Sequence, residues 1–158
     1  MNVVQRAIMK RVGKGFAPMM KHMHRTQGAA AKAVYEKYGE EALPIIAEVA
    51  GESGVGSAQI MQGMMPIKGM KDIGELFKMM DSMMEMGMEI IELSDNAIHF
   101  RVSQCVLGLG GTSKELCEAM MSSDKKMMST LLGQEVETKI LKSIAAGDEQ
   151  CEVVFSKK

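Results

Sequence analysis

The sequence predicts an α+β fold, with N-terminal helices packed on a four-stranded antiparallel sheet and a β-β-α-β-β order in the second half. Three observations carry this. Up to Gly87 apolar residues recur at three- and four-residue steps, most clearly Ile73, Leu76-Phe77, Met80 and Met83-Met84. The period then drops to two, with Ile98, Phe100 and Val102 alternating with His99, Arg101 and Ser103. Turn clusters, Ser94-Asp95-Asn96 and Gly147-Asp148, separate runs of strand length. At 158 residues the chain fits one domain, 1–158, in which residues 1–87 are helical and residues 88–158 follow the β-β-α-β-β order.

Met1–Val12 reads as a short helix with Val3, Val4, Ala7, Ile8 and Val12 on one side, broken by Gly13 and Gly15. Pro18 suits the first turn of a second helix, which runs to Tyr38 and stops at Gly39. His22 and His24 lie inside it, two residues apart, and so face different ways, a poor metal pair. Glu40–Ala50 forms the next helix, its acidic pair Glu40-Glu41 placed well for the helix dipole. Gly51-Glu52-Ser53-Gly54-Val55-Gly56 lacks the Gly-Lys-Ser/Thr ending of a phosphate loop and any preceding strand, so it reads as a bend or helix break. Ser57–Met65 is a helical piece ended by Met65-Pro66 and Gly69, and Asp72–Met86 is the clearest amphipathic helix.

The four strands are expected at Met88–Leu93, Ala97–Cys105, Gln134–Ile144 and Gln150–Phe155. Between the two hairpins, Thr112 or Ser113 can cap a helix whose apolar stripe is Leu116, Cys117, Met120 and Met121. Ser122-Ser123-Asp124 interrupts it, and Ser123 or Asp124 can cap a further helical stretch, Lys125 to Leu132.

Composition excludes several classes. A net charge of -1 with scattered Lys and Arg leaves no nucleic-acid footprint. No apolar run reaches the length of a membrane span, which is about 18 residues or more. The N-terminus lacks the apolar core of a secretory signal, and 3 cysteines is an odd number, so reduced thiols in a cytoplasm are expected. The chain has 19 Met but only 4 Phe, 2 Tyr and no Trp, so methionine takes over the filling role of aromatics. Plain core packing is one reading of this. Further readings are a Met-rich dimer face, thioether ligation of Cu(I), and a pocket lined by Met79, Met80, Met83, Met120 and Met121 with a small organic ligand as the partner. Surplus apolar helical faces predict a homodimer, through the Asp72–Met86 helix first of all.

All three cysteines fall in Cys105–Phe155. The order is a cysteine at a strand end, a Gly-containing loop, Leu116-Cys117 in a helix, Asp124, then Ser143-Ile144-Ala145-Ala146-Gly147-Asp148, Cys151, Glu152 and a strand finishing in Phe155. This resembles the L-2-amino-thiazoline-4-carboxylate hydrolase-like family and is similar to the broader 4-vinyl-reductase superfamily of small-molecule-binding domains. The N-terminal half adds Tyr38-Gly39-Glu40-Glu41-Ala42 leading into a helix and the Ser53-Gly54-Val55-Gly56 break. The resemblance implies helices on a four-stranded antiparallel sheet, a dimer, and an organic-ligand pocket near a cysteine-containing site. Two departures mark this chain. Val106 follows Cys105 where proline is typical of the hydrolase-like family, and Ser143 stands in a region where the vinyl-reductase domain often has cysteine.

The expected function is therefore small-molecule binding. Cys105, Cys117 and Cys151 are expected to cluster, as ligands of zinc or another soft divalent metal, as reactive thiols or as buried filler. The alternatives are a hydrolase of a small cyclic substrate of the thiazoline type and a thiol-based redox sensor. Hydrolysis would need proton transfer, for which His99 is the candidate, and a carboxylate anchor, for which Arg101 is the candidate. Strict alternation sets both on one strand face, and puts Cys105 on that face too unless the strand bulges.

Overall fold

The computed structural model describes the backbone of residues 3–158 and the side chains of 13 and 15–158. The apolar stripe expected along Val3–Val12 thus lies outside the described side chains. Five helices and four strands follow in the order α1 (Val3–Tyr38), α2 (Leu43–Met64), α3 (Met70–Met84), β1 (Met88–Leu93), β2 (Ala97–Val102), α4 (Lys114–Met120), α5 (Ser122–Leu132), β3 (Val136–Lys142) and β4 (Cys151–Lys157). The α+β expectation holds, and the antiparallel sheet runs β1-β2-β4-β3.

The sheet has one buried face. Ile98 and Phe100 from β2, Val136 and Ile140 from β3, and Val153 and Phe155 from β4 all point to the core. Phe100 pairs with Val153 and Ile140 also pairs with Val153, so the inner residues form rows across the strands. Onto this face α3 packs Ile73, Leu76 and Phe77, and α5 packs Met127, Met128 and Leu131. Phe77, Phe100 and Phe155 meet there, with ring centroids 5.3, 6.3 and 6.0 Å apart. A second cluster, including Ala31, Ile46, Leu109, Leu116 and Ala145, joins α1, α2 and α4 to the loops.

Local chemistry explains the boundaries. Ser113 caps α4 by accepting from the Leu116 N–H at 3.1 Å. Asp81 accepts from the Met88 N–H at 3.0 Å and ties the end of α3 to the start of β1. β2 ends three residues before the expected Cys105, because Ser103 and Gln104 both donate to the Met86 carbonyl, at 3.0 and 3.1 Å. The turn after β3 is wider than Gly147-Asp148 alone: Asp148 accepts from the Ser143 N–H at 2.7 Å and donates its own N–H to the Ser143 carbonyl at 3.1 Å.

The larger corrections concern glycine and proline. α1 continues through Gly13, Gly15 and Pro18, and α2 continues through Gly51, Gly54 and Gly56. Neither glycine group is a break. A Cβ on Gly13 would lie 2.5 Å from the Met83 sulfur, and one on Gly54 would overlap the Ser123 carbonyl. These glycines let α1 approach α3 and α2 approach α5, so packing outweighs their poor helix propensity.

The Met70–Met84 helix also differs from its expected role. It turns Met70, Ile73, Leu76, Phe77 and Met84 inward, so its apolar stripe is used within the fold. Exposed apolar side chains lie instead on α1 and α2, among them Met19, Val34, Tyr38, Ile45, Val49, Ile60 and Met64.

Candidate functional site

α1, α2, α3, α4, α5 and the inner face of the sheet surround a cavity of about 400 Å³. That is within the range of small-molecule sites, about 300–1,000 Å³. Its wall is largely methionine: Met20 and Met23 from α1, Met80 and Met84 from α3, Met86 and Met88 around the start of β1, and Met120 and Met121 beside α4. Phe77 and Phe100 add aromatic surface, and no Lys or Arg is among the described lining residues. Of the methionines expected to form a pocket, Met80, Met120 and Met121 lie in this wall, whereas Met79 and Met83 do not. A second and more open groove of about 450 Å³ runs between α1 and α2, bordered by Val34, Ile45 and Val49, and shares Gln27, Ser53, Met120 and Ser123 with the cavity.

Cys105, Cys117 and Cys151 all line the cavity. Cys105 reaches it because β2 has already ended, so strand parity no longer directs its side chain. The sulfurs lie near enough for a negative charge on one to disfavour a charge on another. Burial, above all, pushes the Cys117 thiol up to about 11, and it raises Cys151 as well. Cys151 Sγ accepts a weak hydrogen bond from the Ile144 N–H at 3.4 Å. The Ser143 hydroxyl is buried without a conventional hydrogen-bond partner, and the Cys117 thiol, itself only a weak one, stands beside it. Among the described residues no three His, Cys, Asp or Glu side chains are arranged to hold a metal ion.

A thiol raised in this way is protonated at neutral pH, and the thiolate is the reactive form. We expect Cys117 in the folded protein to react with iodoacetamide at pH 7.5 about a hundred-fold more slowly than an unhindered thiol. Mass spectrometry of the alkylated peptides measures this, and labelling of Cys117 at the rate of a free thiol would contradict it.

His99 and Arg101 lie elsewhere. Their strand positions alternate with the buried Ile98 and Phe100, which puts them on the outer face of the sheet. His99 Nε2 is 2.9 Å from Glu152 Oε1, and Lys142 approaches the other oxygen of Glu152 at 3.8 Å. Arg101 stands 3.6 Å from Glu89, its direct partner on β1. Both residues belong to this charged ladder, and neither lines the cavity with the cysteines.

Besides the cysteines, two titratable residues line the cavity that were not among the expected site residues, His24 on α1 and Asp124 on α5. The Asp124 carboxyl is raised from its ordinary range to about 6, chiefly by burial, with His24 opposing the shift. His24 Nδ1 lies 2.8 Å from the Met20 carbonyl; a carbonyl only accepts, so Nδ1 carries the proton. Asp124 three residues after Met121 reads as an ordinary first-turn acid. It appears in the sequence only within the order of residues that carries the family resemblance, and its burial comes from distant helices.

No family model and no curated protein matches the chain. A solved structure does. The crystal structure of the phenol-responsive sensory domain of the transcription activator PoxR, with phenol, superposes with a TM-score of 0.63. The two are 15% identical, and the match covers 85% of this chain and 74% of that one. At that identity the likeness establishes the fold. Among the described residues no helix is long and apolar enough to cross a membrane.

Proposed function

We propose that the protein is a small-molecule-binding sensory module whose ligand is a compact, mainly apolar organic molecule held in the methionine-lined cavity. The observation that carries this is the cavity itself, about 400 Å³ of largely apolar wall between the helices and the sheet. Methionine suits the role, because its flexible thioether adapts to the shape of a guest. The fold shared with a phenol-responsive sensory domain supports the same reading, as does the resemblance of Cys105–Phe155 to the vinyl-reductase binding domains. Calorimetric titration with phenol and toluene tests it. Saturable binding of at least one is expected, and failure of both would count against a preformed site for small aromatic compounds.

Hydrolysis of a thiazoline carboxylate finds less support. A carboxylate substrate needs a cationic anchor, and Arg101 stands outside a wall that holds Asp124 and no described Lys or Arg. The redox-sensor reading suffers from the burial that keeps Cys117 and Cys151 protonated. A soft metal at Cys105, Cys117 and Cys151 keeps one support, their shared cavity wall. Metal analysis of the purified protein tests that reading directly.

The assembly proposed is a homodimer, now through the α1–α2 surface that exposes Val34, Tyr38, Ile45 and Val49. Light scattering at high micromolar concentration is expected to give twice the chain mass. A monomer mass, or a dimer unaffected by Ile45→Glu with Val49→Glu, would contradict this interface.

A further inference from the structure

We infer that the ligand carries a positively charged nitrogen, an ammonium or amidinium group, received by Asp124 together with His24. This rests on the binding reading above and narrows it to a chemical class.

The sign of the cavity is the first argument. Asp124 is the one carboxylate among its described lining residues, and no Lys or Arg there balances it. The second is the state of that carboxylate. By area Asp124 is only half-buried, yet protein surrounds it closely enough to raise its carboxyl to about 6. Asp124 is among the residues that line the cavity. Its hydrogen-bond partner is its own backbone N–H, and among the described residues no other residue donates to it. A carboxylate left this way in apolar surroundings is costly unless something completes its shell.

His24 supplies the third argument. With Nδ1–H committed to the Met20 carbonyl, the neutral ring offers Nε2 as an acceptor. Asp124 and the Nε2 atom of His24 face the same cavity, from α5 and α1. A head group with several N–H donors and a positive charge fits that pair. A carboxylate head would meet repulsion, and the methionine wall would take the apolar body of the molecule. The two residues are 100 positions apart in sequence, so such a ligand would fasten α1 to α5.

The other groups facing Asp124 across the cavity do not supply a cation. α2 presents Ser53 and Ser57, α4 presents Cys117, the loop after β2 presents Gln104 and Cys105, and β4 presents Cys151. Recognition by an ionised Asp124 is present above about pH 6 and is lost as the pH falls through it.

Three probes that share a phenethyl body test this: phenethylamine, phenethyl alcohol and 3-phenylpropionate, titrated calorimetrically into the full chain. At pH 7.5 the amine is expected to bind more tightly than the alcohol by about ten-fold or more, the gain typical of a charge-assisted hydrogen bond. The carboxylate should bind most weakly. The amine-to-alcohol ratio should collapse towards one in Asp124→Asn, and in the unaltered protein it should shrink from pH 7.5 to pH 5. That pH series decides the matter if Asp124→Asn does not fold. Alcohol binding without preference for the amine, or a preference that survives both Asp124→Asn and pH 5, overturns the inference and leaves the binding reading standing. No binding by any of the three overturns both.

Discussion

Phe155→Ala should cost the fold about 3–5 kcal/mol, the usual range for emptying a buried phenylalanine site. Phe155 is fully buried at the centre of the inner sheet face, and its ring meets Phe77 at 6.3 Å and Phe100 at 6.0 Å. These are three of the chain's 4 phenylalanines, gathered at one point in a core otherwise built from aliphatic side chains and methionine. The neighbours cannot collapse freely into the space. Phe77 is held by α3, and Phe100 is paired in register with Val153. A domain of this kind holds about 5–15 kcal/mol in total, so the variant would lose a large fraction of its stability. Urea unfolding measures it as a midpoint lowered by roughly 2 M. Gln134→Ala, at an exposed position, should change stability by no more than about 0.5 kcal/mol. A loss below about 1 kcal/mol for Phe155→Ala would mean that the aromatic group does not centre the core.

Gly54→Ala and Gly56→Ala should have opposite signs, although the two residues sit two positions apart in one helix. Alanine is the better helix former by about 1 kcal/mol, and at Gly56, where nothing lies within 4 Å of the added methyl, that gain should appear. At Gly54 the methyl would overlap the Ser123 carbonyl. Backbone cannot move aside as a side chain can, so α2 must separate from α5, and overpacking of this kind typically costs 1–3 kcal/mol, about 2 on average. A gap of about 2 kcal/mol between the variants, read from denaturant midpoints, is the expected result. Equal and stabilising effects would show that α2 and α5 are not in such close contact. Gly54 also sits beside Ser53 and one turn before Ser57, both in the cavity wall, so separation of these helices would open the site as well.

These two glycines show where the sequence was legible. A period of two is a local property, so the strands, the change at Gly87 and the inward set Ile98, Phe100, Val153 and Phe155 could be read directly. The helix interruptions could not. Gly51-Glu52-Ser53-Gly54-Val55-Gly56 resembles a bend until α5 is placed against it, because Gly51 and Gly54 answer to a surface about 70 residues away. The site divides in the same way. That the cysteines occupy one region follows from the order of β2, α4 and β4, but the end of β2 at Val102 depends on the Met86 carbonyl. Asp124 stands in the sequence only as part of the family resemblance and His24 only as half of a poor metal pair, and neither is marked as facing the other. They share the cavity because α1 and α5 pack around it, a tertiary contact that the helical reading of Pro18–Tyr38 does not contain.

The 19 methionines provide the most direct test of the cavity as a ligand site, since each carries a methyl group visible by nuclear magnetic resonance when isotopically labelled. Phenol is the probe, added to the labelled full chain, with methyls assigned by single Met→Leu substitutions. The account predicts saturable shifts of the methyls of Met80, Met84, Met120 and Met121, which line the cavity, and none for exposed Met64. Shifts confined to exposed methionines, or no saturable shift at any of them, would contradict it.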